Sequence, residues 1–209
     1  MIVATAQARG EDGYALWLGY ATVAGRERVA EYRESLKRIV VAGVDPSLEI
    51  AARELGEAAR EMVGQHLARG DRVTAGGTIL LAAGVGSPLV SSLNISAELR
   101  ELGDEGFLIR SMRIDGMGAT VIASGSGRGT LYGAFCLIRL MQTGQAIDAL
   151  DLRERPRLQL RLLDHWDNLD GSIERGYAGN SLWRWEDLPA RISPRYRAYA
   201  RAMASVGLP

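Results

Sequence analysis

The sequence is short of the residues that build several kinds of site. It has one cysteine, Cys136, which excludes an internal disulfide and any multi-cysteine metal centre. Cys136 sits in the apolar run LYGAFCLIRL, where a buried, inert thiol is expected rather than a nucleophile. Two histidines, His66 and His165, are too few for a histidine-rich metal centre. Lys37 is the single lysine, so arginine carries nearly all the positive charge; this reads as a genomic bias, not a mechanism. Neither sign is in excess: Lys+Arg 25 and Asp+Glu 25 give a formal net charge of +0. That balance offers nothing to nucleic acid or to an anionic membrane. No stretch approaches the roughly eighteen uninterrupted apolar residues of a membrane span. The start, MIVATAQARGEDGY, lacks a charged head followed by a long apolar run, so no secretory signal is read and a cytoplasmic protein is expected.

What remains is ordinary globular material, 47% hydrophobic and 24% charged over 209 residues. That length supports one good core and a second small unit.

In chain order, YALWLGY (residues 14–20) suits a first strand or an extended segment at the domain edge. Ala24 to Ser35 is charged and reads as a loop or short helix. Leu36 to Val41 reads as a strand closed by Gly43. Asp45-Pro46 is an N-cap followed by a first-turn proline. Leu48, Ala51, Ala52, Leu55, Ala59, Met62 and Val63 then share one helical face, predicting a helix to about Leu67. His66, near its end, reads as a solvated or capping residue. Thr78 to Ala83 is a buried strand, and Ser87-Pro88 starts a short helix. Phe107–Ile114 and Thr120–Ser124 form a hairpin around an Asp-Gly signal. Gly129 to Met141 is a buried helix stopped by Gly144.

This order predicts an α/β protein of the α+β type, a small mixed sheet with helices mainly on one face. Ile147 to Leu152 is an extended exit, and RERPR (153–157) is the linker. The expected units are 1–152 and 153–209. In the second, Leu160 to Leu163 reads as a strand. Ser193-Pro194 then opens a helix whose face carries Tyr196, Tyr199, Ala200, Met203 and Val206. One βα unit cannot close a barrel, so this would be the first repeat of an incomplete (β/α)8 barrel.

Between that strand and helix lies the densest chemistry. Residues 160–185 hold three of the four tryptophans, one histidine and the carboxylates Asp164, Asp167, Asp170 and Glu174. A strand that ends in acids and an indole is how α/β enzymes place a site. An ordinary polar loop with a tryptophan packed over the core fits equally well. Trp166 could stack on a sugar ring, and Arg175 could pair with a uronate carboxylate or simply with Asp170 or Glu174. Asp167, Asp170 and Glu174 could serve as acids, though loop spacing cannot set the separation that glycoside hydrolysis needs. His165 could donate to a substrate oxygen or hold the loop. Gly125 to Gly129 (GSGRG), with Asp148 downstream, has the look of a phosphate loop. Its G-x-G-x-G spacing departs from the dinucleotide pattern, and a tight turn is the reading taken.

The stretch HWDNLDGSIERGYAGNSLW (165–183) resembles the signature at the start of the catalytic barrel in α-glucuronidases of glycoside hydrolase family 67. The resemblance extends to GYALWLGY (13–20), EGFLIR (105–110), GRGTLYGAFCLIRLMQTG (127–144), the run from Pro156 to Trp183 and RYRAYARAMASVG (195–207). It implies a small sheet domain, then a (β/α)8 barrel, then a helical region that commonly makes a dimer. It implies hydrolysis, by inversion and without metal or other cofactor, of the α-1,2 link between (4-O-methyl-)glucuronic acid and xylo-oligosaccharides. By resemblance Trp166 is the leading candidate for a wall of the sugar pocket. Asp167, Asn168, Glu174 and Arg175 follow as residues that line or shape it. Asp164 stands where Asn is expected, and Asn180 where a basic residue is expected. The family's acid and base lie on later strands than this chain holds, so no catalytic residue is assigned, and the chain alone is expected to be inactive. The competing reading is a non-catalytic carbohydrate- or protein-binding module derived from that enzyme. It would offer a partner the exposed face of its last helix and the unpaired edges of strand 160–163.

Overall fold

The computed structural model describes residues 12–209; the segment read for a secretory signal lies almost wholly outside them. A six-stranded sheet runs in the order β2-β1-β3-β5-β4-β6. The strands are β1 (Arg38–Ala42), β2 (Ala68–Gly70), β3 (Thr78–Ala83), β4 (Phe107–Ile114), β5 (Met117–Ser124) and β6 (Asp151–Glu154). β2, β1, β3 and β5 are mutually parallel, while β4 is antiparallel to both β5 and β6.

Period-two alternation assigns the two faces. Ile39, Ile79, Leu81, Ile109 and Ile122 point to one side, where they meet α1 (Arg26–Ser35), α2 (Pro46–Val63) and α5 (Gly127–Gln142). Val40, Leu80, Leu108 and Val121 point to the other, under the short helices α3 (Pro88–Ser92) and α4 (Ser96–Leu102). The mixed α/β class with the long helices on one face is therefore observed. None of the helices among the described residues is long and apolar enough to cross a membrane.

Local chemistry explains the elements. Asp45 caps α2 by accepting from the Ser47 amide at 2.8 Å, with Pro46 in the first turn. Gly64, at φ 65°, closes the same helix, so it ends at Val63 and His66 falls beyond it. Asp115 and Gly116 both have positive φ, 49° and 80°, the type I′ geometry that matches the twist of the β4–β5 hairpin.

The glycine loop before α5 is a packing device. The Gly127 amide donates to Asp45 Oδ2 at 3.1 Å, so a carboxylate from α2's cap already occupies the start of α5. Further along, a Cβ on Gly133 would lie 2.6 Å from Ile122 Cγ2, so α5 sits close on β5 only because that position has no side chain. Gly133→Ala is expected to cost about 1–2 kcal/mol in a urea titration. The overpacking penalty of about 1–3 kcal/mol exceeds the helix-propensity gain of about 1 kcal/mol.

Three sequence readings are corrected. Residues 14–20 do not form a strand; Leu16–Leu18 is a 3₁₀ turn, and Leu16 and Tyr20 have φ of 53° and 48°, which no strand accepts. Leu160 to Leu163 is extended but unpaired, because no described strand lies beside it to take its amides and carbonyls. The exit expected at 147–152 is a real strand shifted along the chain, and β6 crosses the expected boundary at 152/153.

An ion-pair network fastens β6. Arg110 meets Glu98 of α4 through two nitrogens at 2.8 Å each, and Arg153 reaches the same carboxylate at 2.6 Å. The Arg110 hydrogen bonds, then those from Arg153, outweigh burial and hold the Glu98 carboxyl down at about 2. A depressed carboxyl stabilises the fold above its unfolded value near 4.5, and that contribution fades as pH falls toward 2. Glu98→Gln is expected to flatten the stability–pH curve in that window. It should cost about 1–2 kcal/mol at neutral pH, read by urea titrations from pH 2 to 7.

Candidate functional site

Beyond β6 the chain runs without helix or strand, bending at Arg157 and Gln159, to Asp164, then folds into a cross-linked loop. The Asn168 amide donates to Ser172 O at 2.8 Å, and the Gly171 amide returns to Asn168 O at 3.0 Å, closing a turn at Gly171 with φ 81°. A wider layer pairs Glu174 N with Trp166 O at 3.0 Å and Ser181 N with Gly171 O at 2.8 Å. Asp170 accepts from both the hydroxyl and the amide of Ser172, at 2.6 and 2.9 Å, and the hydroxyl bond leads in holding its carboxyl below the ordinary range. Loops of short polar residues satisfy their own backbone in this way.

The five candidates divide by what they touch. Asp167 accepts from the Ser181 hydroxyl. Asn168 Nδ2 donates to Ser172 Oγ at 2.9 Å and to Glu174 O at 2.5 Å. Both side chains are therefore spent on the loop's own hydrogen bonds. Trp166 is 71% exposed. Glu174 carries a positive φ of 54°, an uncommon conformation for a non-glycine residue, and its carboxylate has no ion pair among the described residues. Arg175 is exposed and pairs with neither Asp170 nor Glu174, so its guanidinium fork is free to meet a carboxylate. Trp166 and Arg175 thus face solvent, with Glu174 half-buried between them, on a scaffold that Asp167 and Asn168 hold.

His165 is not free. Its Nε2 lies 2.7 Å from the Tyr199 hydroxyl on α6 (Pro194–Ser205). Trp183 sits at the centre of this contact, with ring centroids 5.6 Å from His165, 4.9 Å from Tyr196 and 5.8 Å from Tyr199. The Tyr196 hydroxyl accepts from the Arg184 amide at 2.8 Å. The loop is thereby attached to α6.

α6 is in turn attached to the sheet domain. Arg201 Nε lies 2.8 and 2.9 Å from the two oxygens of Glu54 on α2, and Tyr20 donates to the same carboxylate at 2.9 Å. Burial, then the Glu54 charge, pushes the Tyr20 hydroxyl far above its ordinary value of 10.0. The raised value contributes stability below pH 10 that is lost as the unfolded chain ionises and the folded one resists. Alkaline unfolding of wild type should therefore begin lower than in Tyr20→Phe, a comparison made by circular dichroism from pH 8 to 12. At the far end of α6, Ser205 accepts from Trp17 Nε1 at 2.8 Å and its carbonyl from Arg139 at 2.6 Å.

A second fastening is Arg161. It donates to Gly207 O at 2.9 Å, Leu158 O at 2.6 Å and Glu105 at 2.5 Å. Burial alone would raise the Glu105 carboxyl, but Arg161 and Arg128 together hold it below the ordinary range. Sequence reasoning passed over Arg161, Arg201 and Glu54. The one signal available was an arginine interrupting an apolar run, as in LQLRLL. Of the helical face read in α6, Tyr196 is buried and Tyr199 and Met203 are half-buried, while Ala200 and Val206 are exposed; Ala202, Ala204 and Ser205 also pack inward.

Comparison with known proteins bears on both halves. Residues 16–137 match the model described as the glycosyl hydrolase family 67 N-terminus, and residues 140–209 match the family 67 middle domain. Among curated proteins, the probable alpha-glucuronidase A of Aspergillus oryzae is 30% identical over 197 residues, covering 94% of this chain and 23% of that protein. Alpha-glucuronidase A of Emericella nidulans is 30% identical over 212 residues, covering 95% of this chain and 24% of that protein. A solved GH115 4-O-methyl-alpha-glucuronidase with specificity for decorated arabinogalactans aligns at a TM-score of 0.49 and 15% identity, over 82% of this chain and 24% of its own. The chain thus spans about a quarter of the length of the curated relatives it matches. With the two family models in order along it, this chain belongs to glycosyl hydrolase family 67.

Proposed function

We propose that this chain is the N-terminal part of an α-glucuronidase that removes (4-O-methyl-)glucuronic acid, by inversion, from the α-1,2 link to xylo-oligosaccharides. The observation that carries the proposal is the ordered match of the two family models, together with curated α-glucuronidases that align across nearly the whole chain. Its contribution to such an enzyme is a scaffold and one wall of the sugar site. The exposed indole of Trp166 offers an apolar face to a pyranose ring, and the unpaired guanidinium of Arg175 matches a uronate carboxylate.

The reaction needs one carboxylic acid to protonate the leaving oxygen and a carboxylate to activate water, about 6.5–9.5 Å apart. Asp167 is held by Ser181 and Asp170 by Ser172, so neither is placed as that pair. The acid and base belong to barrel strands outside this chain. The exposed apolar side chains of Leu158, Leu160, Leu162 and Leu163, on an extended and unpaired backbone, favour a first barrel strand that the rest of such a barrel would cover.

The test is release of uronic acid from aldouronic acids. The 209-residue chain, purified free of host glycosidases, should release none. A longer chain that contains it should release 4-O-methylglucuronic acid with inverted anomeric configuration, seen by NMR. In that longer chain Arg175→Ala should raise KM about tenfold, the worth of a charge-assisted hydrogen bond. Turnover by the 209-residue chain alone, or retention of configuration, would overturn the proposal.

A further inference from the structure

We propose that Tyr199 of α6 is a positioning residue for the sugar site: through His165 it fixes the indole of Trp166. The proposal rests on the function proposed above and adds to it two residues that need touch no substrate. The Trp166 indole is 71% exposed, and its ring nitrogen makes no hydrogen bond among the described residues. Little packing aims the ring, so its backbone must do so. A stacking face held in place before the sugar arrives costs less to use.

Two contacts bracket that backbone. On one side the Trp166 carbonyl accepts from the Glu174 amide at 3.0 Å. On the other, the preceding side chain is engaged by α6. His165 Nε2 lies 2.7 Å from the Tyr199 hydroxyl, and the two rings meet edge to face at 5.4 Å. His165 is exposed, so burial does not hold it, and that hydroxyl is the one hydrogen-bond partner of its ring among the described residues. Tyr199 is a firm support because its helix is fastened on both sides of it. Tyr196, one turn earlier, is buried, and Arg201, two positions later, is held by Glu54 of α2. The hydroxyl thus ties a helix docked on the sheet domain to the residue beside the indole.

Tyr199→Phe removes this one bond and keeps the aromatic packing on His165 and Trp183. Amide exchange in the 209-residue chain and kinetics in a longer chain that contains it test the role. In the 209-residue chain, Tyr199→Phe and His165→Phe should each speed exchange of the Glu174 amide about fivefold, the worth of one net hydrogen bond, while sheet amides keep their rates. In the longer chain both variants should raise KM for aldouronic acids about fivefold and leave kcat within about twofold, as loss of uniform binding does. His165→Gln, which can still meet the hydroxyl, should keep the wild-type KM. In a Trp166→Ala background Tyr199→Phe should add nothing, because it acts only through that indole. Unchanged exchange at Glu174 overturns the proposal. So does an unchanged KM in Tyr199→Phe, an equal loss in kcat, or a full KM effect in the Trp166→Ala background. A longer chain that releases no uronic acid overturns the function proposed above instead, and exchange at Glu174 then still decides whether Tyr199 fixes Trp166.

Discussion

Arg201→Ala is expected to destabilise the chain by about 2–4 kcal/mol and to release α6 from the sheet domain. Breaking a buried ion pair from one side costs about 3–5 kcal/mol, because it strands the remaining charge. Here the stranded charge is Glu54, whose side chain is 9% exposed, while Arg201 is 28% exposed and loses less on removal. That partial exposure moves the expected value down by about 1 kcal/mol. Tyr20 can still donate to the orphaned carboxylate, but its guanidinium neighbour, 5.2 Å from the ring, is gone. Replacing both charges by apolar residues, Arg201→Met with Glu54→Leu, should recover most of the loss, since the desolvation cost vanishes with the pair. Urea titrations of the four members of this cycle give the coupling energy. Limited proteolysis reports whether α6 detaches. A single mutant within about 0.5 kcal/mol of wild type would mean that the Glu54 pair does not hold α6, and that its apolar packing with Ser205 and Arg161 suffices.

Trp183→Ala should cost about 2–3 kcal/mol and loosen the loop that carries Trp166. Truncating a fully buried tryptophan costs about 3–5 kcal/mol, and Trp183 is only half-buried. Its ring contacts to His165, Tyr196 and Tyr199 add about 0.5–1.5 kcal/mol for each well-placed aromatic pair. These contacts are what join the loop to α6, so amide exchange should rise from Trp166 to Ser181 before it rises in the sheet. Trp166→Ala is the matching control. With its indole largely in solvent it should change stability by less than about 0.5 kcal/mol. If Trp166→Ala proved the more destabilising of the two, the indole would be a packing residue, and its assignment as a sugar platform would fall.

Much of the fold was legible where one local rule dominates. The α2 cap at Asp45, the Asp115-Gly116 hairpin, the buried strand Thr78–Ala83 and the α5 helix each depend on a few neighbouring residues. β2 and α4 were missed, and β6 was read only as an extended exit placed too early. β2 is three residues long and exists only because β1 offers it a ladder. β6 is the charged run DLRE, whose strand character comes from pairing with β4. The same logic reversed the reading at Leu160–Leu163, where apolar residues without a neighbouring strand stay unpaired.

The sequence by itself determined the composition-level exclusions, the α/β class and the family, because those depend on residue types and their order. The tertiary structure alone decided which polar residues of the 165–183 stretch are free. Asp167, Asn168 and His165 are held by Ser181, Glu174 and Tyr199, while Trp166 and Arg175 face solvent. It alone also paired Glu54 with Arg201 across 147 positions, and Glu105 with Arg161 across 56. The physical reason is range: capping, turns and periodicity act within a few residues, whereas a hydrogen-bond partner is chosen by whatever the packed chain brings within about 3 Å.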